Sequence, residues 1–297
     1  MRAREIAGWV ALAGAPWLAL GYALAKAQAR PLQSPARFQR QAGKRVVACL
    51  GASMIHGRVS FDLVSALEER LGTSFQVVNA GVNGDLAWNA RQRLPSVVEC
   101  DPDYVIVMVG SNDVMASLNP TAEARYRRAK KLPVRPSLDW YRENLRGIVI
   151  ELRSRTRAKL AVCSLPPLGE VLDARANRSL AQYNEVVREV AHENGCDYLP
   201  VHETLRDALA SAAPPEAKPY DGSPWPLVRA IFDRYVLGLP LEAISARQGY
   251  ALLTDGIHLG ARAGELVVDR FEAFVRRASL RAVPETLLRA HGTDRAR

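Results

Sequence analysis

One serine, one histidine and one aspartate in this sequence have the types and spacing that ester cleavage requires. Ser53 follows a short apolar run, and Asp255 stands three residues before His258. A serine hydroxyl is a poor nucleophile until a neighbouring base removes its proton. His258 can be that base, and Asp255 can hold the imidazole in the productive tautomer. These residues predict acyl transfer through a covalent acyl-enzyme on Ser53.

Three further groups could stabilise the negative charge that develops on the carbonyl oxygen during such a reaction. They are the backbone N–H of Ser53, the backbone N–H of Gly84 and the side-chain amide of Asn112. Gly84 lies in the stretch NAGVNGD, and Asn112 lies in GSND. Loss of one such donor typically lowers the rate about 100- to 1000-fold. The sequence therefore predicts an oxyanion hole built from Ser53, Gly84 and Asn112.

Alternating strands and helices are expected to position these side chains. The predicted strands are residues 45–50, 75–79, 104–109, 159–164 and 196–200, and the predicted helices are 61–71, 138–153, 174–194 and 262–276. Such alternation indicates βαβ units and a parallel sheet that is covered on both faces. Functional sites on such sheets form at the carboxyl ends of the strands. Ser53, Gly84 and Asn112 each follow a predicted strand, so we expect them to meet at this edge.

The segments around Ser53, Gly84, Asn112 and His258, in this order, resemble the GDSL/SGNH hydrolases, a family named for those four residue types. The resemblance spans residues 45–275. It implies a three-layer α/β/α sandwich with a central parallel sheet, hydrolysis of esters, thioesters or acylated carbohydrates, and Asp255 as the partner acid. It implies no metal and no organic cofactor. One departure is Ala52, where the family usually has an aspartate before the serine.

The composition describes a globular protein with a basic surface. Hydrophobic residues make up 48 % of the chain, and the formal net charge is +9. A local basic cluster comprises Arg125, Arg127, Arg128, Lys130, Lys131 and Arg135. No helix-turn-helix, zinc-finger or aromatic RNA-binding signature accompanies it, so we expect no nucleic-acid partner. We interpret the cluster as a solvated helix face, with contact to anionic lipid headgroups as the alternative.

The N-terminal segment predicts association with a membrane. Residues 6–25 carry no charge and are about long enough for a helix that spans the bilayer core. A cleaved signal peptide is the alternative, because residues 25–27 and 27–29 resemble small-residue cleavage sites. Lys and Arg are more numerous after the segment than before it, which favours a main domain on the cytoplasmic face. An exported or periplasmic domain stays open as the alternative.

The predicted organisation is one catalytic domain with short flanking segments. It comprises an anchor or signal segment (1–29), a linker (30–43), the hydrolase domain (44–278) and a C-terminal tail (279–297). Within the domain, residues 212–250 are rich in proline and include an apolar helical face. We interpret this insertion as a possible lid that covers the site or touches lipid.

Two other functions stay open from the sequence alone. The same residues could pass the acyl group to a sugar hydroxyl, which would make the protein an acyltransferase. The fold could also serve as a catalytically silent, membrane-tethered module that binds carbohydrate or lipid. A binding role would not need all five site residues, so their presence favours hydrolysis. His56 lies close to Ser53 in the sequence, but we expect it to pack locally or line the pocket.

Overall fold

Five short apolar runs form one parallel sheet in the computed structural model, which describes residues 18–212 and 218–280. The strands are β1 (Arg45–Gly51), β2 (Phe75–Gly81), β3 (Tyr104–Met108), β4 (Lys159–Cys163) and β5 (Asp197–Leu199). Their order across the sheet is β2-β1-β3-β4-β5, and every neighbouring pair is parallel. All five predicted strands are confirmed, with ends that move by one or two residues.

The sheet is buried on both faces because alternate side chains of each strand point to opposite sides. In β1, Val46, Ala48 and Leu50 pack into one hydrophobic cluster, while Val47 and Cys49 pack into another. All five side chains are fully buried. This double coverage explains why the strands appear in the sequence as continuous apolar runs rather than as alternating patterns.

Two layers of helices complete the sandwich. The helices are α1 (18–28), α2 (Ser53–His56), α3 (Leu63–Leu71), α4 (Ala87–Gln92), α5 (Leu94–Val98), α6 (Ser111–Ser117), α7 (Pro120–Lys130), α8 (Leu138–Arg155), α9 (Arg175–Glu193), α10 (Val201–Ala212), α11 (Trp225–Tyr235), α12 (Leu241–Gln248) and α13 (Ala261–Leu280). Helices α4, α5, α6, α8 and α9 pack on one face of the sheet, and α2, α3, α10 and α13 pack on the other. The three-layer α/β/α sandwich is therefore confirmed.

The long helices were predicted well and the short ones were missed. The predicted helix 174–194 is α9, and the predicted helix 61–71 is α3, which begins one residue after a capping aspartate. That residue is Asp62, whose Oδ1 accepts a hydrogen bond from the Ser65 N–H at 3.1 Å. Helices α4, α5 and α6 have five to seven residues. Such lengths are too short to show a helical hydrophobic period.

The predicted N-terminal helix is described only in its last part. Much of the uncharged segment 6–25 lies outside the described residues, and the described part continues as α1. Ala23 and Ala27 of α1 are buried in a small cluster with Val59 and Ile231. Among the helices that the structure describes, none is both long and apolar enough to cross a membrane. The predicted transmembrane helix stays a prediction.

The segment predicted as a linker lies along the outer edge of the sheet. The Gln33 carbonyl accepts a hydrogen bond from the Asn79 N–H at 2.9 Å, and the Gln41 N–H donates to Gln76 Oε1 at 2.7 Å. Asn79 and Gln76 belong to β2, the edge strand next to β1. Covering an edge in this way protects its backbone groups from pairing with another chain.

The predicted insertion 212–250 contains α11 and α12. Ile231 of α11 is buried beneath α1, and Ile244 of α12 is buried against neighbouring apolar residues. Both helices thus pack on the domain, and a role as a lid stays a prediction. Of the predicted tail, only residues 279 and 280 are described, and they belong to the last turn of α13.

Candidate active site

Ser53 begins a short helix directly after β1, an interior strand that lies between β2 and β3. It is the first residue of α2, and its side chain is partly accessible to solvent. Gly81, at the end of the neighbouring β2, lets α2 pass closely: a Cβ there would lie 2.2 Å from the His56 backbone nitrogen. The strand-to-helix turn that presents Ser53 therefore depends on a residue without a side chain at position 81.

A chain of hydrogen bonds joins Ser53, His258 and Asp255, the three residues proposed from the sequence as the catalytic set. His258 Nε2 lies 2.8 Å from Ser53 Oγ, and His258 Nδ1 lies 2.7 Å from Asp255 Oδ2. The other carboxylate oxygen of Asp255 accepts from the backbone N–H groups of His258 and Ile257 at 2.8 and 3.0 Å. The short loop before α13 thus fixes both the aspartate and the imidazole ring.

The electrostatic environment keeps Asp255 ionised. Both Asp255 and His258 are buried, with 4 % and 3 % of their surface exposed. Burial by itself raises the pKa of a carboxyl group. Here the positive charge that His258 can carry, together with the hydrogen bonds from His258 and Ile257, outweighs burial and lowers the pKa of Asp255 below its usual value. A charged Asp255 can stabilise an imidazolium on His258.

A buried glutamate that the sequence reasoning missed holds the segment leading into this loop. Glu170 is 4 % exposed. Its carboxylate accepts hydrogen bonds from the backbone N–H groups of Ala251, Leu252 and Leu253 at 2.7 to 2.9 Å. These three residues lie just before Asp255, so Glu170 fixes the path by which the chain enters the site. Nothing around Glu170 in the sequence indicates this contact.

Asn112 is oriented by partners on both sides of its amide. Its Nδ2 donates to the Asp85 carbonyl at 2.9 Å, and its Oδ1 accepts from the Tyr126 hydroxyl at 2.8 Å. Because a backbone carbonyl can only accept, the amide atom that faces the Asp85 carbonyl is the nitrogen, and the atom that faces the Tyr126 hydroxyl is the oxygen. One Nδ2 hydrogen is used by Asp85, and the second is free to reach a ligand. Asn112 and Ser53 line the same narrow space.

Gly84 lies in a turn beside Asn112 and under the side chain of Lys130. Its φ of +74° favours glycine, and a Cβ would lie 2.8 Å from Lys130 Cε. Lys130 Nζ donates to the Asn83 carbonyl and to Asp85 Oδ1, the latter at 2.9 Å. The Asp85 carbonyl in turn joins this turn to Asn112. Gly84 is not among the residues that enclose the narrow space shared by Ser53 and Asn112, and its neighbour Asp85 connects its turn to Asn112.

Arg93 ties the glycine turn to the ends of two strands. Its guanidinium donates to Asp85 Oδ2, to the Ala80 carbonyl and to the Gly51 carbonyl, all at 2.7 to 2.8 Å. Gly51 stands two residues before Ser53. Arg93 thereby fixes the spacing between the serine turn and the glycine turn, which was not foreseen from the sequence.

Asp113, next to Asn112, is fully buried and supports the same region. Its carboxyl oxygens accept from the Ala87 N–H at 3.1 and 3.3 Å. Burial raises the pKa of Asp113 to about 8, despite the hydrogen bond from Ala87, and the charge of nearby Asp85 adds to this rise. Asp113 therefore holds the start of α4 against α6 and has no contact with Ser53.

The space beside Ser53 is narrow. It is enclosed by residues that include Ala52, Gly110 and Ile257. Its volume of about 10 Å³ is enough for at most one water molecule. Only a small group fits next to the serine without rearrangement.

His56 does not join the hydrogen-bonded chain of Ser53, His258 and Asp255. His56 is buried, and its Nδ1 has no hydrogen-bond partner among the described residues. It lines a separate cavity with Gly81 and Asn83. Burial, and to a smaller extent the charge of Arg58, lower the pKa of His56 to about 4. His56 thus packs locally, as expected. Within the described residues, no group of three or more His, Cys, Asp or Glu side chains is placed to hold a metal ion.

The sequence matches the model of the GDSL-like Lipase/Acylhydrolase family over residues 49–223, more than half of the chain. The chain belongs to this family. Ser53, Gly84 and Asn112 lie within the matched range, and Asp255 and His258 lie beyond it. The expectation of an SGNH-type ester hydrolase is thereby confirmed. No match to the sequence was found among curated proteins.

Solved structures share the fold at low sequence identity. The acetyl xylan esterase AlAXEase aligns with a TM-score of 0.52 and 16 % identity, over 77 % of this chain and 99 % of its own. A catalytic mutant of Axe2, an acetylxylan esterase from Geobacillus stearothermophilus, aligns with a TM-score of 0.55 and 16 % identity. That alignment covers 79 % of this chain and 94 % of the Axe2 chain. At such identity the likeness concerns the fold.

Proposed function

We propose that this protein hydrolyses short-chain carboxylic esters through an acyl-enzyme on Ser53. The observation that carries the proposal is the continuous hydrogen-bonded chain from Ser53 Oγ through His258 to Asp255, with steps of 2.8 and 2.7 Å. Such a chain activates a serine, because the imidazole accepts the hydroxyl proton as the nucleophile attacks.

In the first half-reaction, His258 Nε2 takes the proton from Ser53 Oγ while the oxygen attacks the ester carbonyl. The Oγ–C bond forms, and the carbonyl oxygen becomes an oxyanion. Asp255 stabilises the imidazolium through the hydrogen bond to Nδ1. His258 then gives its proton to the leaving alcohol, and the bond between the acyl carbon and the alcohol oxygen breaks.

Three donors are proposed to stabilise the oxyanion: the N–H of Ser53, the N–H of Gly84 and the free Nδ2 hydrogen of Asn112. The first two have no hydrogen-bond acceptor within the described part of the chain. The third is the donor that the contacts of Tyr126 and Asp85 leave unused. Donors held in place beforehand need no reorganisation when the charge develops.

The second half-reaction repeats these steps with water. His258 removes a proton from water as the water oxygen attacks the acyl carbon, and the same donors hold the new oxyanion. The proton then returns to Ser53 Oγ as the acyl–enzyme bond breaks and the carboxylic acid leaves. Atoms and charges balance without a cofactor.

The small volume of the space beside Ser53 favours a substrate with a short acyl group, such as acetyl. The fold neighbours support the same choice, since they are named as acetyl xylan esterases. Catalytic mutants of Axe2 replace a serine, an aspartate and a histidine, and this aspartate and histidine stand three residues apart, as Asp255 and His258 do. An acetylated carbohydrate is therefore the substrate class that we propose.

Rates on a series of 4-nitrophenyl esters test the proposal. We expect kcat/KM to fall steadily from acetate through butyrate to octanoate, because longer chains do not fit beside Ser53. Intact-mass measurement during turnover should show the protein with one added acyl group, which Ser53→Ala lacks. A preference for octanoate would contradict the short-acyl assignment. Turnover by Ser53→Ala at the wild-type rate would contradict the acyl-enzyme itself.

A further inference from the structure

A second cavity adjoins the site on the far side of Met115. Its volume is about 390 Å³, within the range of small-molecule sites. Residues that line it include Met115, Leu118, Arg125, Arg175, Tyr220 and Asp221. Met115 also lines the narrow space beside Ser53, so one side chain separates the two spaces. Methionine is flexible and adapts its shape to a neighbouring group.

Two walls of this cavity are connected to the segments that carry Asn112 and His258. One wall includes Arg125 of α7, and the next residue, Tyr126, donates its hydroxyl proton to Asn112 Oδ1. On the other wall, Tyr220 packs against Gly169: a Cβ at Gly169 would lie 2.3 Å from the Tyr220 nitrogen. The Gly169 N–H donates to the carbonyl of Gly256, between Asp255 and His258 in the sequence, at 2.7 Å. A group in this cavity is thus next to the reacting ester.

The lining of the cavity carries a net positive charge. Arg125 and Arg175 contribute two guanidinium groups, and Asp221 contributes one carboxylate. Arg175 donates to the Leu118 carbonyl at 3.1 Å, and Arg125 lies 5.4 Å from the centre of the Tyr126 ring. Among the ion pairs within residues 18–212 and 218–280, none involves either arginine. Both guanidinium groups retain donors for a ligand.

We propose that this cavity binds an anionic group on the alcohol part of the ester, so that the preferred substrate is a short-acyl ester of an acidic sugar or a similar small acid. A guanidinium presents several N–H donors in a plane and pairs well with carboxylate or phosphate oxygens. The narrow space beside Ser53 then holds the acyl group, and the larger cavity holds the leaving group. The inference rests on the proposed ester hydrolysis and adds a charge preference to it.

Two matched esters test this preference: 4-acetoxybenzoate, whose leaving group carries a carboxylate, and its neutral methyl ester. We expect wild type to show a higher kcat/KM for the anionic ester. The ratio of the two values should fall about tenfold in Arg125→Gln and in Arg175→Gln, as expected for a lost charge-assisted hydrogen bond. Arg178→Gln is the control, because Arg178 lies on the same helix α9 and its guanidinium contacts Asp173 instead.

Binding measurements keep the charge preference separate from catalysis. We expect calorimetry to show that galacturonate binds wild type more tightly than galactose does, with the difference reduced in Arg175→Gln. Glucose 1-phosphate and glucose, compared in the same way, distinguish a phosphate from a carboxylate preference. Equal binding of charged and neutral sugars, or a wild-type ester ratio near one, would overturn the inference. Hydrolysis of neither ester, with the sugar difference intact, would contradict the proposed function and leave the anion site standing.

Discussion

The two sides of the candidate site are held in different ways. On the proton-transfer side, Asp255 and His258 are buried, and the buried carboxylate of Glu170 binds three backbone N–H groups next to them. On the oxyanion side, the Asn112 and Gly84 segments are held by Tyr126 and Lys130 of α7, a helix that buries none of its residues. The first side is part of the core, and the second depends on a surface helix.

This difference between the two sides indicates which substitutions should lower stability and which should lower the rate alone. A carboxylate that satisfies three buried donors cannot be removed without leaving those donors unpaired, which costs stability. Contacts from a surface helix can change while the sheet and its core stay intact. The following predictions probe this contrast, from the largest expected effect to the smallest.

Substitution of the proton-transfer residues should have the largest effect on rate. We expect His258→Ala and Asp255→Asn each to lower kcat on 4-nitrophenyl acetate by about 10⁴-fold, because the serine loses its base or the base loses its correct tautomer. Steady-state kinetics measure this loss. His56→Ala is the comparison variant, since His56 lines another cavity. A loss of similar size in His56→Ala would place the general base elsewhere.

Removal of the Asn112 amide should lower kcat by about 100- to 1000-fold, the usual cost of one oxyanion donor. We expect KM to change much less, because the donor acts mainly in the transition state. If Asn112→Ala raised KM and left kcat unchanged, the amide would bind the ground state of the substrate, and its role as an oxyanion donor would be wrong.

Glu170→Gln should affect stability and rate together. One amide oxygen cannot replace two carboxylate oxygens as acceptor for three backbone donors. We expect the free energy of unfolding to fall by about 1–3 kcal/mol, as for an unsatisfied buried donor. We also expect kcat to fall about tenfold, because the loop that carries His258 loses its fixed path. Urea denaturation and kinetics on the same preparation measure both. An unchanged free energy of unfolding in Glu170→Gln would show that the proton-transfer side does not depend on its buried carboxylate, and would contradict the contrast with the oxyanion side.

Tyr126→Phe should affect rate with little effect on stability. The Asn112 amide loses the hydrogen bond that fixes its orientation, and we expect kcat to fall up to about tenfold. The control is Tyr235→Phe, which removes a similar bond from a hydroxyl to the Arg58 carbonyl, away from the site. Equal kcat in the two variants would show that Asn112 is held without Tyr126.

Asp113→Asn should change the pH dependence of stability and little else. The pKa of Asp113 is raised from 3.8 to about 8 in the folded protein. Between these values the folded state keeps a proton that the unfolded chain has released. The contribution of Asp113 to the free energy of unfolding therefore falls as the pH rises from about 4 to about 8. We expect Asp113→Asn to lose this decline relative to wild type in urea denaturation from about pH 5 to about pH 9. Parallel curves for the two proteins would contradict the raised pKa.

Ser53, Asp255 and His258 could be singled out because each stands in a short, recognisable segment of the sequence, although Ser53 and His258 are 205 positions apart. Asp255 and His258 stand three residues apart, and Ser53 follows a strand whose apolar run is plain. The residues that hold them were not predictable, because no sequence motif marks them and their partners lie far away along the chain. Glu170 accepts a hydrogen bond from a backbone N–H 82 positions away. Lys130 belongs to the basic cluster that the sequence analysis interpreted as a solvated helix face, but its Nζ donates to Asp85 beside the site. Only packing of the sheet and its helices brings such pairs together.

Labelling with a fluorophosphonate tests the central claim, an activated Ser53, most directly. Wild type should be labelled, and Ser53→Ala should not be. His258→Ala should be labelled far more slowly, because its serine keeps the hydroxyl proton. Labelling that survives in Ser53→Ala and disappears in Ser111→Ala would contradict the account, since it would place the nucleophile on another serine beside the same narrow space.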